Sequence, residues 1–337
     1  MFKSLRSRWR PLQPTPARPE AQMEGRSSVE QGIEAFCTAY GREPTPEAAG
    51  MLSSFRTAVP VSGRRDTLRL VISIFDHQSY HTPVAIRFGP NDLRTVQLGG
   101  FKLVCDRMDH AVSSGIINEQ HYEPNLTEFV HGNLKPGMTA ADIGANIGFF
   151  SMLFSSIVGG NGRVISFEPN TENCRLLLLS KEVNGFDNIE LHPIALSNMR
   201  GVAFFTPAIG SNGTLLPSTS ETLTDPNCVV VPSDRLDNVV HGPVNLIKAD
   251  IEGAEYLALS GGIETISRNR PIILAEFSMG VSGIQGKDFL YWIKNFNYRI
   301  EMLGRTEYGR SRVDNVERYI AEWGNPSRIE DLAFIPN

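Results

Sequence analysis

A glycine-rich turn lies between two apolar segments near the middle of the chain, at residues 142–150 (DIGANIGFF). It follows the short apolar run Met138–Ala141 and opens a second one, Phe149–Val158. This order is typical of a strand, a tight turn and a helix. Gly144 and Gly148 permit backbone conformations and close approaches that a Cβ would block. Because a helix N-terminus presents unpaired N–H groups, the segment predicts a ligand-binding turn.

An acidic residue, Glu168, ends the next strand-like run, Arg163–Phe167. An acid at the tip of the second strand is where a nucleotide ribose is held through its hydroxyls. The first acid of the turn, Asp142, would lie close to the phosphates of a dinucleotide, which disfavours NAD. It suits an ammonium group instead. These features together predict an adenosine-type cofactor with a cationic end, which fits S-adenosylmethionine.

Four segments give the chain a family resemblance. They are residues 142–150 (DIGANIGFF), 167–170 (FEPN), 246–255 (LIKADIEGAE) and 271–277 (PIILAEF). In this order and spacing they resemble the FkbM-type S-adenosylmethionine-dependent methyltransferases, from about Tyr122 to the C-terminus. The resemblance implies an α/β class I methyltransferase fold, which is Rossmann-like and seven-stranded. It also implies O-methylation of hydroxyls on sugars or polyketide-like natural products.

The resemblance assigns most cofactor contacts to the glycine turn and the second strand. The residues expected to cradle the methionine part of the cofactor are Asp142, Gly144, Asn146, Gly148 and Phe149. Glu168 is expected to hold the ribose, and Pro169 and Asn170 to shape the adenine side.

Two further pairs complete the predicted cofactor site. Ala195 and Leu196 come directly after the third strand and are expected to flank the adenine. Tyr122 and Glu123, just upstream of the fold, resemble a family segment that closes over the cofactor. Both pairs extend the predicted site beyond the glycine turn.

The acceptor side of the site is predicted from what methyl transfer requires. An acceptor oxygen must be aligned behind the methyl group, and an alcohol needs a base as its proton departs. Asp250 follows the fourth strand and Glu276 ends the fifth, so both are catalytic candidates. Lys248 stands inside an apolar strand and is predicted to orient a carboxylate. The alternatives are a helix cap for Asp250 and a snorkelling side chain for Lys248.

Other polar residues near the predicted site admit structural roles. Glu252 and Glu255 suit either the site or the first turn of a helix, where acids are favoured. Asp250, Glu252 and Glu276 have the oxygen ligands that magnesium prefers. The resemblance implies no metal, and none is expected. A structural role is likewise expected for three histidines, His121, His131 and His192.

The chain divides into four expected segments. Residues 1–27 are basic and proline-rich and predict a disordered arm. Residues 28–80 show helical periodicity and predict a small helical module. Residues 81–114 predict a β-meander that leads into the methyltransferase domain and covers one edge of its sheet. Residues 115–337 form that domain, so the fold carries a small helical plus β N-terminal extension.

Strands and helices alternate after Met138, which implies a parallel sheet with right-handed crossovers. A helix is predicted over Thr171–Val183, with Asn170 as its N-cap. The stretch 201–237 is predicted to be an insertion with two strands, near the cofactor end of the sheet. The predicted strands are Thr139–Ile143, Val164–Phe167, Ile189–Ile194, Val244–Ala249, Ile272–Phe277, Tyr298–Leu303 and Leu332–Ile335.

Composition limits the partners. The formal net charge is −5, so no global basic field attracts nucleic acid. The four cysteines are scattered and form no C-x-x-C pair, so neither disulfides nor a zinc site are expected. This pattern predicts a protein of the reducing cytoplasm. No apolar run approaches the roughly 18 residues needed to span a bilayer. The expected partners are a small-molecule or glycan acceptor, and the helical module makes a homo-oligomer possible.

Three functions are consistent with these observations. The preferred one is a methyltransferase that acts on a hydroxyl of a saccharide, a glycolipid or a related natural product. One alternative is a nicotinamide-dependent oxidoreductase, which the absence of a third glycine at the usual spacing disfavours. The other is a non-catalytic binding protein of a carbohydrate pathway that retained the fold.

Overall fold

The computed structural model describes residues 90–207, 213–216, 219–225, 228–304, 311–323 and 328–337. All of them belong to one compact unit, Ile72–Asn337. The expected basic arm (1–27), the helical module (28–80) and the first part of the lead-in (81–89) lie outside the described residues.

The described chain begins with a hairpin. After a 3₁₀ turn at Pro90–Asp92, strands β1 (Leu93–Leu98) and β2 (Phe101–Asp106) pair antiparallel in a two-stranded sheet of their own. Gly99 turns the chain between them with φ +54°. Two short helices follow, α1 (Ser113–Glu119) and α2 (Pro124–Asn133).

The first half of the central sheet carries the glycine turn. Its elements are β3 (Thr139–Ile143), α3 (Phe149–Val158), β4 (Arg163–Phe167), α4 (Thr171–Asn184) and β5 (Ile189–His192). Every residue of β3 is buried, as expected for a parallel strand covered on both faces. The side chain of Asn170 accepts the backbone N–H of Glu172 at 3.0 Å and caps α4, which confirms the predicted cap.

The predicted insertion (201–237) forms a separate four-stranded sheet together with a short strand that precedes it, Ala195–Leu196. Its elements are β6 (Ala195–Leu196), β7 (Gly201–Pro207), β8 (Gly213–Leu216), α5 (Ser220–Thr224) and β9 (Val229–Asp234), with strand order β6-β9-β7-β8. The strand-like runs Val202–Phe205 and Val229–Val231 predict β7 and β9, whereas β8 is not predicted. The four residues of β8 stand in a tract rich in Ser, Thr, Pro and Gly, where alternation is too short to detect.

The second half of the chain completes the central sheet. Its elements are α6 (Leu236–Val239), β10 (Leu246–Ala249), α7 (Glu255–Ser260), α8 (Ile263–Asn269), β11 (Ile272–Phe277), α9 (Met279–Lys294), β12 (Tyr298–Met302), β13 (Ser311–Val313), α10 (Val316–Ala321) and β14 (Glu330–Pro336). The predicted strands therefore lie where the sequence placed them, with ends that differ by a few residues.

The central sheet has the strand order β13-β12-β14-β11-β10-β3-β4-β5. The five strands from β11 to β5 run parallel, and β14 lies antiparallel between β11 and β12. The fold is thus the predicted Rossmann-like α/β arrangement with an antiparallel finish. The expected count of seven strands is exceeded by one, since the short strand β13 adds an edge beside β12.

The sheet separates two apolar clusters. Neighbouring residues of β3, Ala140 and Ala141, belong to different clusters, and so do Val164 and Ile165 of β4. Successive side chains of a strand point to opposite faces, so the clusters lie on the two faces of the sheet. The core is therefore three-layered, with helices covering both faces.

The hairpin packs on helices and not on a sheet edge. The backbone N–H of Val104 in β2 donates to Ser180 Oγ of α4 at 2.8 Å. The backbone N–H of Lys102 donates to Asn184 Oδ1 of the same helix at 2.7 Å. The expectation that the lead-in covers one edge of the main sheet was wrong, because its two strands pair in a sheet of their own and pack on α4.

In the described part of the chain, no helix combines the length and the apolar character required to cross a membrane.

The packing of α3 on α4 depends on a glycine. Gly148 has φ +94°, and a Cβ at this position would stand 2.8 Å from Leu177 Cγ. We expect Gly148→Ala to lower the free energy of unfolding by about 2–5 kcal/mol, from backbone strain plus overpacking. The matched control is Gly185→Ala at φ +64°, where no atom lies within 4 Å. That variant should lose only the strain, about 1–2 kcal/mol. Equal losses in urea unfolding would contradict this account.

Candidate functional site

A cavity of about 270 Å³ opens where the carboxyl ends of β3, β4, β10 and β11 meet their loops. In open α/β sheets this is the usual place for a ligand, since the helices leave the sheet in opposite directions there. The predicted site residues that line this cavity are Tyr122, Glu123, Gly144, Asn146, Phe149, Glu168, Pro169, Ala195, Leu196, Lys248, Asp250 and Glu276. Three others, Asp142, Gly148 and Asn170, lie behind the lining.

Asp142 lies beneath the glycine turn, fully buried in β3. Its Oδ2 accepts the hydroxyl of Ser151 at 2.6 Å, and Ser151 also contacts Ser166 Oγ at 2.8 Å. Burial raises the pKa of the Asp142 carboxyl, while the nearby Lys248 charge and the Ser151 hydroxyl act in the opposite direction. Asp142 therefore supports the turn from below in this structure.

The glycine turn is folded tightly against the loop after β10. Gly144 has φ +76°, and a Cβ there would lie 2.0 Å from the backbone oxygen of Asp250. The backbone N–H groups of Gly144 and Ala145 both donate to the carbonyl of Phe167, each at 3.0 Å. The turn is thus fixed on both sides, by β4 and by the β10 loop.

Glu168 connects the turn to the next helix. Its Oε2 accepts the backbone N–H of Asn146, and its Oε1 accepts that of Asn170, both at 2.8 Å. Burial raises the pKa of this carboxyl to about 7, although the two N–H donors act in the opposite direction. Asn170 lies behind the cavity wall and makes two hydrogen bonds. Its backbone N–H donates to Glu168, and its side-chain oxygen caps α4.

The insertion sheet supplies an apolar wall. Phe205 of β7 packs with Ala195 and Leu215, and all three line the cavity. Gly213 leaves room for the Phe205 ring, since a Cβ there would stand 2.1 Å from Phe205 Cζ. Neither Phe205 nor Leu215 is among the predicted site residues. The apolar run Val202–Phe205 predicts a strand, but only the pairing of β7 with β8 and the cavity lining reveal that Phe205 borders the cavity.

An aromatic cluster forms another side of the cavity. The rings of Tyr122 and Phe149 lie 5.2 Å apart, and Phe149 and Phe150 are also 5.2 Å apart. Lys248 Nζ lies 4.7 Å from the centre of the Phe150 ring. Glu123 follows Tyr122 with φ +43°, an unfavourable conformation for a residue that precedes proline. The predicted Tyr122–Glu123 segment is therefore part of the cavity wall.

Lys248 and Asp250 form an ion pair at the end of β10. Their Nζ and Oδ2 atoms are 3.1 Å apart, and Lys248 is only 4% exposed. Burial alone would lower the pKa of Lys248, but the carboxylates of Asp250, Asp142 and Glu123 more than reverse this effect and raise it. The lysine is therefore a buried cation. The snorkelling alternative is wrong, because the ammonium group is turned inward.

Asp250 is not a helix cap. Helix α7 begins at Glu255, its N-cap position is Ala254, and no side chain caps it. Asp250 lies four residues upstream of this N-cap and lines the cavity, as does Glu276 of β11. Glu252, with φ +54°, lines the cavity as well. The structure thus brings the predicted acidic residues of two adjacent strands to one wall.

The three histidines lie away from the cavity lining. His192 stacks on Phe167 at 5.2 Å and pairs with Glu190 at 2.9 Å, whereas His121 and His131 are exposed. Within the ranges that the structure describes, no group of three or more His, Cys, Asp or Glu side chains is arranged to hold a metal ion.

A family model for the FkbM methyltransferase domain matches residues 142–324, which is more than half of the chain. The chain belongs to the FkbM methyltransferase family. Its members are S-adenosylmethionine-dependent methyltransferases, and family membership excludes the nicotinamide-dependent alternative. The comparison with curated protein sequences found no match.

Several solved methyltransferase structures match this chain at low identity and with low TM-scores. An FkbM methyltransferase from Methylobacillus flagellatus KT is 16% identical, with a TM-score of 0.38 over 68% of this chain and 61% of that chain. This chain thus spans less than two-thirds of the Methylobacillus protein. An S-adenosylmethionine-dependent O-methyltransferase from Thermotoga maritima is 13% identical, with a TM-score of 0.38 over 66% and 70% of the two chains. A methyltransferase structure from Streptococcus mutans in complex with SAH is 11% identical, with a TM-score of 0.37 over 64% and 98%.

The FkbM site fits its cofactor. Gly144 and Asn146 of the turn line the cavity, so a ligand there can approach the turn closely. Glu168 supplies carboxylate oxygens beside the turn, and carboxylates suit a pair of ribose hydroxyls. The donor set therefore agrees with S-adenosylmethionine.

The first test of this site concerns Glu168. We expect Glu168→Ala to lose a charged hydrogen bond to the cofactor, on the order of 1.5–3 kcal/mol, or roughly 10- to 150-fold in affinity. Calorimetric titration with S-adenosylhomocysteine measures this loss. Asp187→Ala, an exposed acid outside the cavity, is the control. Unchanged affinity in Glu168→Ala would remove this residue from the cofactor site.

The second test is pH dependence. The pKa of Glu168 is raised to about 7, so the carboxyl is largely protonated below that value and ionised above it. Because the ionised form is the stronger acceptor for hydroxyls, S-adenosylhomocysteine affinity should rise from pH 6 to pH 8. Glu168→Gln should bind more weakly with a flatter profile, as measured by calorimetry at each pH. The same slope in both proteins would assign the pH effect to another group.

Proposed function

We propose that this FkbM methyltransferase transfers the methyl group of S-adenosylmethionine to a hydroxyl of a saccharide, a glycolipid or a related natural-product acceptor. The observation that supports this most is the ion pair of Lys248 and Asp250. It lies in the same cavity as the glycine turn, at the end of the strand beside β3. An acidic group is thereby available next to the place where the reactive methyl group is expected.

The proposed cofactor orientation follows the cavity walls. Gly144 and Asn146 of the turn would hold the methionine part, and Glu168 would hold the ribose. The apolar wall, where Ala195 and Phe205 are in contact, would accommodate the adenine. A cofactor held in this way would leave its methyl group accessible from the side of β10, since β10 is the neighbour of β3 on the side away from β4.

Each catalytic residue has a proposed role. When bound, S-adenosylmethionine supplies an activated methyl group, so the protein has to align the acceptor and receive its proton. Asp250 accepts that proton. Lys248 is a cation with a raised pKa and cannot act as a base, so it orients the Asp250 carboxylate and compensates its charge. Glu276 accepts hydrogen bonds from the acceptor.

The acceptor class is supported by the chemistry of the acidic wall. Asp250, Glu252 and Glu276 all line the cavity near the carboxyl ends of β10 and β11. Carboxylates are hydrogen-bond acceptors only, and vicinal hydroxyls are donors that match them. A polyhydroxylated acceptor therefore suits this wall better than a phosphorylated one, which the carboxylates would repel.

The wider organisation is part of the same proposal. Among the described cysteines, Cys105, Cys174 and Cys228 are free thiols, which supports a cytoplasmic location. We propose that the arm (1–27), the helical module (28–80) and the lead-in (81–114) precede the catalytic domain (115–337). The helical module contributes to acceptor capture or to a homo-oligomer.

The decisive variant is Asp250→Asn, which keeps the size and shape of the side chain and removes the proposed base. We expect transfer from labelled S-adenosylmethionine to glycan and glycolipid fractions to fall by about 10²-fold or more. The affinity for S-adenosylhomocysteine should change much less. Asp187→Asn, with its exposed side chain, is the matched control.

Two outcomes would contradict the proposal. Normal transfer in Asp250→Asn would exclude Asp250 as the base. A wild-type protein that binds S-adenosylhomocysteine but methylates none of the glycan and glycolipid fractions would remove the saccharide class. Chelator is a further control: transfer lost on chelation and restored by magnesium would add a metal ion to the reaction.

A further inference from the structure

The segment between β10 and α7 carries part of the proposed acceptor wall. Asp250, Ile251 and Glu252 follow each other in it, and all three line the cavity. Glu252 has φ +54° and Gly253 has φ +98°, so two successive residues adopt left-handed backbone conformations. For a glutamate this conformation is unfavourable, and it persists only where other contacts impose it.

The side chain of Glu255 provides such contacts. Its Oε1 accepts the backbone N–H of Ile251 at 2.9 Å and that of Gly253 at 3.2 Å. A single oxygen therefore holds the N–H groups on both sides of Glu252. The backbone N–H of Ala254 also donates to the carbonyl of Ile251, at 3.3 Å, and closes the turn.

Glu255 is remote from the ligand itself. It is 3% exposed, and it is not among the residues that line the cavity. Burial raises the pKa of its carboxyl to about 7, against the two N–H donors. Burying an ionisable group costs free energy unless its polar atoms are hydrogen-bonded. The two hydrogen bonds from the turn offset part of this cost.

The turn also contacts the cofactor side of the cavity. The backbone N–H of Asp250 donates to the carbonyl of Ile143 at 3.1 Å. The carbonyl of Asp250 occupies the space beside Gly144 where a Cβ would lie. A shift of the turn would therefore move Asp250 relative to the glycine turn, and with it the proposed base relative to the methyl group.

We propose that Glu255 is a positioning residue for methyl transfer. Its Oε1 fixes the turn 250–254, so that Asp250 and Glu252 face the acceptor, and the turn requires a carbonyl-type oxygen and not a negative charge. The inference rests on the proposed function for the roles of Asp250 and Glu252. It predicts that glutamine, but not an apolar residue of similar length, replaces Glu255.

The experiment compares Glu255→Gln with Glu255→Met in the full chain. Gln keeps an oxygen for both N–H groups, whereas Met keeps only the length of the side chain. The matched control is Glu264, an exposed acid in the first turn of α8, changed to Gln and Met. Hydrogen exchange of the Ile251 and Gly253 amides, followed by mass spectrometry of short peptides, reports the turn without any acceptor.

We expect Met to accelerate exchange of these two amides by about 10-fold or more, and Gln to stay within about threefold of wild type. Transfer to the glycan fractions should follow the same order. S-adenosylhomocysteine affinity should change less than transfer. Equal acceleration by Gln and Met would show that the charge is required, and unchanged exchange in both would remove the role. Either result overturns the proposal.

A second variant guards against misfolding of the Met protein. Gly253→Ala strains the same turn at φ +98° and leaves Glu255 in place. It should also accelerate amide hydrogen exchange at Ile251 and reduce methyl transfer. Exchange of amides far from the turn should stay as in wild type. Fast exchange with undiminished transfer would overturn the positioning role. If wild type methylates no fraction, the proposed function fails, and the exchange data still decide whether Glu255 holds the turn.

Discussion

The whole site depends on one close approach, between the α-carbon of Gly144 and the carbonyl of Asp250. The two residues end or follow adjacent parallel strands, β3 and β10, from which the chain departs toward opposite faces of the sheet. Any side chain at Gly144 would force the two strand ends apart by about 1 Å or more, since its Cβ would meet that oxygen at 2.0 Å. The glycine turn and the segment after β10 are therefore parts of one packed unit.

Burial gives the charged residues of the site their particular behaviour. Lys248 is held as a cation by surrounding carboxylates, whereas Glu168 and Glu255 have pKa values raised to about 7. A buried ion pair such as Lys248–Asp250 is a weak source of stability, because desolvation offsets much of the attraction. Its orientation is fixed nonetheless, since the ammonium lies against the Phe150 ring. The ion pair thus has a defined position in the site although it contributes little to the free energy of unfolding.

Local patterns predicted most of the central sheet and the glycine turn. The turn at Gly144, the cap at Asn170 and the strand around Lys248 all have short-range signals: glycine spacing, a capping amide and an apolar run. The wall residue Phe205 gave no such signal, because its place at the cavity follows from strand pairing within a remote insertion. Glu255 looked like an ordinary first-turn acid. Its bonds back to the turn depend on the left-handed backbone at Glu252, which composition does not encode.

The insertion sheet has a consequence for how this fold can change. Its four strands hydrogen-bond among themselves and to no strand of the central sheet in the described part of the chain. Substitutions around Phe205 and Leu215 can therefore reshape one wall of the cavity without altering the register of β3, β4 or β10. The central sheet and the wall formed by the insertion share no strand pairing in such an arrangement. Selection for a new ligand can act on the wall while the reaction geometry is inherited intact.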